Sequence, residues 1–267
     1  MEFVKAIVLG IVEGITEFLP ISSTGHLILV NEWLRFSASF TKLFDVFIQL
    51  GAMLAVVFYF SSRLLPFGKN IFQKKEIYSI WKKVIIAVFP AIIFGALLGD
   101  FIQSTLFNPV TVAIALMFGG LLLLVIEDYR HRAPIGSVQS LSYRTAFFIG
   151  CFQCLAMIPG TSRSAATIIG AMLLGASRQV AVEFSFFLAI PTLGAATVYS
   201  LVKHGVLMTM QEKLILLTGF WVSFFVAWVV IAGFMAYISK RDFKGFAYYR
   251  ILLGLAVLVY FGFLKRG

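Results

Sequence analysis

The sequence predicts an all-α, polytopic membrane protein: six transmembrane helices plus two re-entrant helical hairpins, arranged as an inverted-topology repeat. Three observations predict it. Of 267 residues, 60% are hydrophobic and 13% charged, where a soluble domain has about 45–50% apolar and about 25% charged residues. A water-facing surface of this composition would carry larger apolar patches than soluble monomers show. Six apolar runs approach the roughly 20 residues that a crossing requires. Two further apolar stretches are each interrupted near the middle by a proline and small polar residues, and they resemble one another.

The first interrupted stretch covers 3–30. A cleavable leader is not expected there, because Glu2 stands where a basic start belongs and Glu13 and Glu17 break the apolar text. Crossings follow at 43–60, 84–98 and 110–126. The second interrupted stretch covers 146–174, and crossings follow at 184–202, 214–238 and 251–264. Neither half of an interrupted stretch is long enough to span, so each is expected to enter and leave by one face. The expected organisation is a single membrane domain over 1–267, with repeat 1 about 1–128 and repeat 2 about 143–267. Pro20-Ile-Ser-Ser-Thr24 lies over Pro159-Gly-Thr-Ser-Arg163 at an offset of 159 − 20 = 139, and Phe44 lies over Phe184 at an offset of 140. Three crossings between the copies, an odd number, would turn the second upside down, as in many transporters. Irregular backbone at membrane depth is tolerated only against protein or a polar cavity, so the two interruptions should face each other near the midplane.

Basic residues orient the chain. The segments 63–83, 130–144, 178 and 240–244 carry 13 lysines and arginines on one side, whereas Lys5, Arg35, Lys42, Lys203, Lys213, Lys265 and Arg266 make seven on the other. The first side is expected to be cytoplasmic, with both termini outside. Much of the net charge of +10 then faces anionic membrane lipids. No nucleic acid partner is expected, since the basic residues are scattered over loops without interleaved aromatics. Cys151 and Cys154 form a lone C-x-x-C in apolar text and read as packing residues.

Charges within membrane segments are costly and usually functional, which singles out Glu13, Glu17, His26 and Arg163. Glu13 and Glu17 are four apart and share one helix face, where they can hold a proton or a cation, or simply be satisfied by hydroxyls and backbone. Ser22 or Ser23 can cap the helix after Pro20 and leave backbone N–H groups free for an anion. His26 follows Ser23 by three residues on the same face; packing is the plainer role for such a residue. In the second copy Gly160 supplies a turn, Thr161 and Ser162 supply hydroxyls, and Arg163 supplies a planar fork for phosphate or carboxylate. Thr167 shares the face of Arg163. Arg163 could instead neutralise Glu13 or Glu17 without any ligand. Asp45 and Glu183 are expected near helix ends within reach of water, and Glu127 and Asp128 solvated beside Arg130. Of these four, Asp45 is best placed to support the site.

Together, EGITEFLPISSTGHL at 13–27 and PGTSRSAAT at 159–167 resemble the signatures of the undecaprenyl-diphosphatase family, also called the bacitracin-resistance protein family. Both motifs match throughout, and length, crossings, hairpins and inverted halves fit that family's fold. The resemblance implies hydrolysis of undecaprenyl diphosphate to the monophosphate and inorganic phosphate in the bacterial cell membrane, which recycles the carrier lipid for peptidoglycan and counters bacitracin. It also implies that Glu13, Glu17, Ser22, Ser23, His26, Ser162, Arg163 and Thr167 are active-site positions and that the site opens outward. On this reading Glu17, Ser23, His26 and Arg163 are expected to do the chemistry, and Ser22, Thr24, Thr161, Ser162 and Thr167 to bind substrate. Two nucleophiles compete: Ser23, with His26 as base and Glu17 holding the imidazole tautomer, or His26 itself. Glu13 and Glu17 could hold a divalent cation, Mg²⁺ or Ca²⁺, against the diphosphate. The rival reading is a polyprenyl-phosphate flippase or secondary transporter built on the same inverted repeat; a non-catalytic lipid-binding scaffold is a third. Self-association into a homo-oligomer stays open.

Overall fold

A computed structural model describes residues 1–34, 36–129, 133–204 and 208–264. Of the basic residues used to orient the chain, Arg35, Arg130, Arg132, Lys265, Arg266 and the side chain of Lys203 lie outside the described residues. Eleven α-helices are found among the described residues: α1 Glu2–Thr16, α2 Ser23–Leu34, α3 Ala38–Tyr59, α4 Ser61–Leu64, α5 Ile71–Leu106, α6 Pro109–Asp128, α7 Tyr143–Gln153, α8 Arg163–Leu173, α9 Arg178–His204, α10 Met210–Ile238 and α11 Lys244–Val259. Six spans are long and apolar enough to cross a membrane, on α3, α5, α6, α9, α10 and α11. The protein is an all-α, multi-pass membrane protein.

Local chemistry explains where these helices start. Asn70 and Gln73 close a capping box at α5, and Thr209 and Glu212 close one at α10. Asn108 caps α6 with Pro109 just inside, where its missing N–H removes no intrahelical bond. The apolar run at 84–98 grows into the 36-residue α5, about 54 Å at 1.5 Å per residue, longer than the roughly 30 Å hydrocarbon layer. Its first turns carry the exposed Lys74 and Lys75, with the exposed Lys82 close behind, so a polar helical extension precedes the apolar crossing. Lys83 is buried, and its Nζ donates to the Gln139 and Val138 carbonyls at 2.7 and 3.3 Å.

The two copies pack as counterparts. Helix α3 lies against α9 and α6 against α8 and α11, while α1 packs on α10 as α7 packs on α5. The largest apolar cluster draws on both copies, including Phe18, Phe60, Phe186, Phe187 and Phe234. Three membrane-length helices separate α1–α2 from α7–α8, so the second copy runs in the opposite sense.

Two carboxylates expected to be solvated have buried side chains instead. Glu127 accepts from Arg178 and from the Phe243 backbone N–H, closing the end of α6 onto α9 and α11. Glu183 pairs with Arg63 at 2.6 Å. Each lies where helices meet, and its partner comes from a distant segment that helical spacing does not reveal. Asp128 is exposed and bonded to Lys244.

Candidate active site

Both short helices that end the interruptions, α2 and α8, begin at a serine in an unusual backbone state. Ser22 has φ 71° and Ser162 φ 70°; among the described residues these are the non-glycine positions with positive φ. Such a conformation costs on the order of 1–3 kcal/mol for a side-chain-bearing residue and clusters at functional sites. What the serine adds over glycine is a cap: Ser22 Oγ accepts from Gly25 N at 3.3 Å and Ser162 Oγ from Ala165 N at 3.2 Å. The two differ by 162 − 22 = 140, the same offset that relates Phe44 to Phe184. The structural register is therefore 140 throughout, and the proline-over-proline alignment at 139 is corrected by one residue. The shared local feature is the strained cap, and the prolines sit one step apart around it.

The next residue in each copy, Ser23 and Arg163, reaches the same carboxylate. Ser23 Oγ donates to Glu17 Oε2 at 2.7 Å, and Arg163 Nη2 donates to Glu17 Oε1 at 3.2 Å. Arg163 Nη1 donates to the Ser185 carbonyl at 2.8 Å, and its guanidinium lies over the Phe18 ring with Cζ 5.6 Å from the centroid. The structure thus brings Glu17, Ser23 and Arg163 into one chain of contacts across the two copies. Ser164 Oγ donates to the Leu19 carbonyl at 2.9 Å, a second tie between them.

Several groups in this cluster have unused hydrogen-bonding capacity. Both carboxylate oxygens of Glu13 are buried without a partner, and so is Arg163 Nε. A buried polar atom left alone costs about 1–3 kcal/mol, so acceptors beside Glu17 and a donor on Arg163 mark places for a cation or proton and for an anion. The charged neighbours of Glu13 are Glu17, Asp45 and Arg163. Among the described residues no three His, Cys, Asp or Glu side chains assemble into a metal cage. Glu13 and Glu17 supply two carboxylates, and this donor set fits a hard divalent cation whose remaining ligands are substrate oxygens.

The expected order Ser23, His26, Glu17 is not the one observed. His26 Nδ1 lies 2.7 Å from the Ser22 carbonyl and Nε2 2.7 Å from the Tyr249 hydroxyl, so both ring nitrogens are engaged away from Ser23 and Glu17. The reason is local: from the first turn of α2 an imidazole reaches back to the carbonyl four residues earlier. Thr167 Oγ1 lies 2.7 Å from Ser185 Oγ and 2.9 Å from the Arg163 carbonyl, which fixes α8 against α9. Thr24 and Thr161 are half-buried beside the two caps. Asp45, expected within reach of water, instead has Oδ1 buried without a partner, while Oδ2 accepts from Asn31 at 3.4 Å and the carboxylate neighbours Glu13.

Arg250 is a residue that sequence reasoning missed. It is fully buried in α11 and donates to five carbonyls: Pro20 at the first hairpin tip, Gly160 and Thr161 at the second, and Ala115 and Leu116 of α6, at 2.9–3.2 Å. Pro20 and Gly160 are counterparts at the 140-residue offset, so one guanidinium pins both tips. Gly119 makes room for it, since a Cβ there would lie 2.2 Å from Nη2; one at Gly160 would lie 2.4 Å from the Val112 carbonyl. The available signal is a charge inside the last membrane helix, hidden because it stands at the start of the apolar run at 251–264.

Comparison with known proteins identifies the family. The chain is 52% identical over 265 residues to undecaprenyl-diphosphatase 1 of Clostridioides difficile, covering 98% of this chain and 97% of that protein. It is 48% identical over 275 residues to the undecaprenyl-diphosphatase of Limosilactobacillus fermentum, covering all of both. To that of Enterococcus faecalis it is 49% identical over 267 residues, covering 97% of each. With residues 6–256 matching the family described as bacitracin resistance protein BacA, the chain belongs to that family.

Proposed function

We propose that the protein hydrolyses undecaprenyl diphosphate to undecaprenyl phosphate and inorganic phosphate, returning the carrier lipid to envelope polymer synthesis and opposing bacitracin. The observation that carries the chemistry is the Ser23 Oγ–Glu17 Oε2 contact of 2.7 Å, with the other Glu17 oxygen held by Arg163. A hydroxyl that donates to a carboxylate is an activated nucleophile. The opposed starts of α2 and α8 offer free backbone N–H groups to phosphate.

In the first step Ser23 Oγ bonds to the terminal phosphorus and its proton passes to Glu17. The bridging P–O bond breaks, and its electron pair leaves with undecaprenyl phosphate, which can carry away the Glu17 proton. In the second step Glu17 takes a proton from water; the hydroxide forms the new P–O bond and the Ser23 Oγ–P bond breaks. The proton returns to Ser23 and phosphate departs. Arg163 stabilises charge on the equatorial oxygens. His26, with both nitrogens engaged, orients the site instead of attacking. Mg²⁺ or Ca²⁺ on Glu13 and Glu17 would neutralise the diphosphate.

The excess of basic residues on the segments assigned to the cytoplasm supports outward termini, and membership of the family supports a site that opens to the outer face of the bacterial cell membrane. Purified protein in detergent, given polyprenyl diphosphate with Mg²⁺ or Ca²⁺, is expected to release phosphate; no release in either cation would defeat the hydrolase reading. The opposed half-helices favour one second reading, a lipid flippase. Flipping would need a sealed vesicle with two leaflets and would proceed without phosphate release.

A further inference from the structure

We infer that Tyr249 is a positioning residue for His26, acting with the Ser22 carbonyl to hold the imidazole in one orientation with Nδ1 protonated. A carbonyl oxygen can only accept, so the 2.7 Å contact to Ser22 O requires hydrogen on His26 Nδ1. In the neutral ring that leaves a lone pair on Nε2, and the Tyr249 hydroxyl, 2.7 Å away, donates to it. The two rings are also nearly parallel, 8° apart with centroids separated by 5.5 Å, so the phenol restrains the imidazole by its face and by its edge.

The restraint is firm because of its neighbour in sequence. Tyr249 is 44% exposed, whereas Arg250 is fully buried and tied by five carbonyls to both hairpin tips and α6. Consecutive residues of α11 therefore hold the site from two directions: Arg250 locks the backbone of the tips, and Tyr249 locks the side chain that stands one turn inside the first. A hydroxyl on a helix pinned this way loses little freedom in making its bond, which is what pre-organisation of a reacting site requires. The kinetic consequence rests on the hydrolase reading above; the tautomer does not.

The test uses both. Full-length protein with His131 and His204 replaced by Gln leaves His26 as the single histidine, and ¹⁵N-histidine labelling then reports its two nitrogens. The expected spectrum at neutral pH has a protonated Nδ1 and a bare Nε2. Tyr249→Phe, which keeps the ring and removes the hydroxyl that donates to Nε2, is expected to shift the Nε2 resonance while Nδ1 stays protonated against the Ser22 carbonyl. An unchanged spectrum would overturn the inference, whether or not the protein hydrolyses anything. In phosphate-release assays Tyr249→Phe is expected to lower kcat about five- to tenfold, the scale of one neutral hydrogen bond, with KM little changed. The same substitution in a His26→Ala background is expected to cost nothing further. Equal losses in both backgrounds would mean that Tyr249 acts without His26 and would also overturn it. Absence of turnover in the unsubstituted protein would remove the hydrolase reading, while the spectrum would still decide the tautomer.

Discussion

The two hairpins share a backbone and divide the chemistry. Both break at a serine with φ near 70°, both caps accept from the amide three residues on, and both tips give a carbonyl to Arg250. Their side chains then diverge position by position. Glu13, Glu17, Ser23 and Asp45 of the first copy stand at the places held by Gln153, Met157, Arg163 and Ser185 in the second. The first hairpin keeps the carboxylates and the hydroxyl that can be deprotonated, whereas the second keeps the cation. On the proposed reading the two helix starts are complementary: one half activates a nucleophile and the other holds an anion. A symmetric site could not do both, because two acidic tips would repel a diphosphate and two basic tips would leave Ser23 without a base.

The sharpest way to break this comparison is to exchange the acid at Glu17 for its amide. Glu17→Gln keeps an acceptor for Ser23 but loses the basicity and the charge facing Arg163, and phosphate release is expected to fall about a thousandfold. Met157→Leu, at the equivalent place in the other copy, is expected to change turnover by less than about twofold. Comparable losses at both positions would contradict the division of labour. Next in size, Arg163→Lys replaces a fork that reaches both Glu17 and the Ser185 carbonyl with a point charge, and turnover is expected to fall about a hundredfold.

Arg250→Met should act on both hairpins at once. It strands carbonyls on two tips and α6, so unfolding in detergent is expected to show a loss of at least about 3 kcal/mol, at roughly 1–3 kcal/mol for each buried group left unpaired. A variant as stable as the parent would mean that the tips hold themselves. The smallest effect concerns the caps. Ser162→Ala keeps the strained backbone and loses the cap, for about 1–2 kcal/mol of destabilisation, while Ser162→Gly relieves the strain and should stay within about 1 kcal/mol of the parent. The same pair at Ser22 should behave alike if the two frames are equivalent.

Much of this is legible in the sequence. The six crossings follow from run length and composition, and the interruptions are visible because proline and clustered hydroxyls are out of place at membrane depth. The residues that meet, Glu17, Ser23 and Arg163, all stand out as charges or hydroxyls where water is absent. What they do to one another is not legible. Spacing alone pairs Ser23 with His26, because residues three apart share a helix face; it cannot reveal that the imidazole turns back to the Ser22 carbonyl and outward to Tyr249. Arg250 gives no local signal of its role, since its partners lie up to 230 residues away. Glu127 and Glu183 read as solvated because their cations come from other helices.

The sequence by itself determined the solvent, the number of crossings and the inventory of chemical groups, since each depends on local composition and on the length of an apolar run. Only the tertiary structure decided the partners: that Glu17 is shared by Ser23 and Arg163, that the repeat registers at 140 and not 139, and that one arginine in the last helix holds both tips. The physical reason is range. Helix formation and lipid burial are settled within roughly twenty residues, whereas a hydrogen bond between distant segments depends on how all the helices pack.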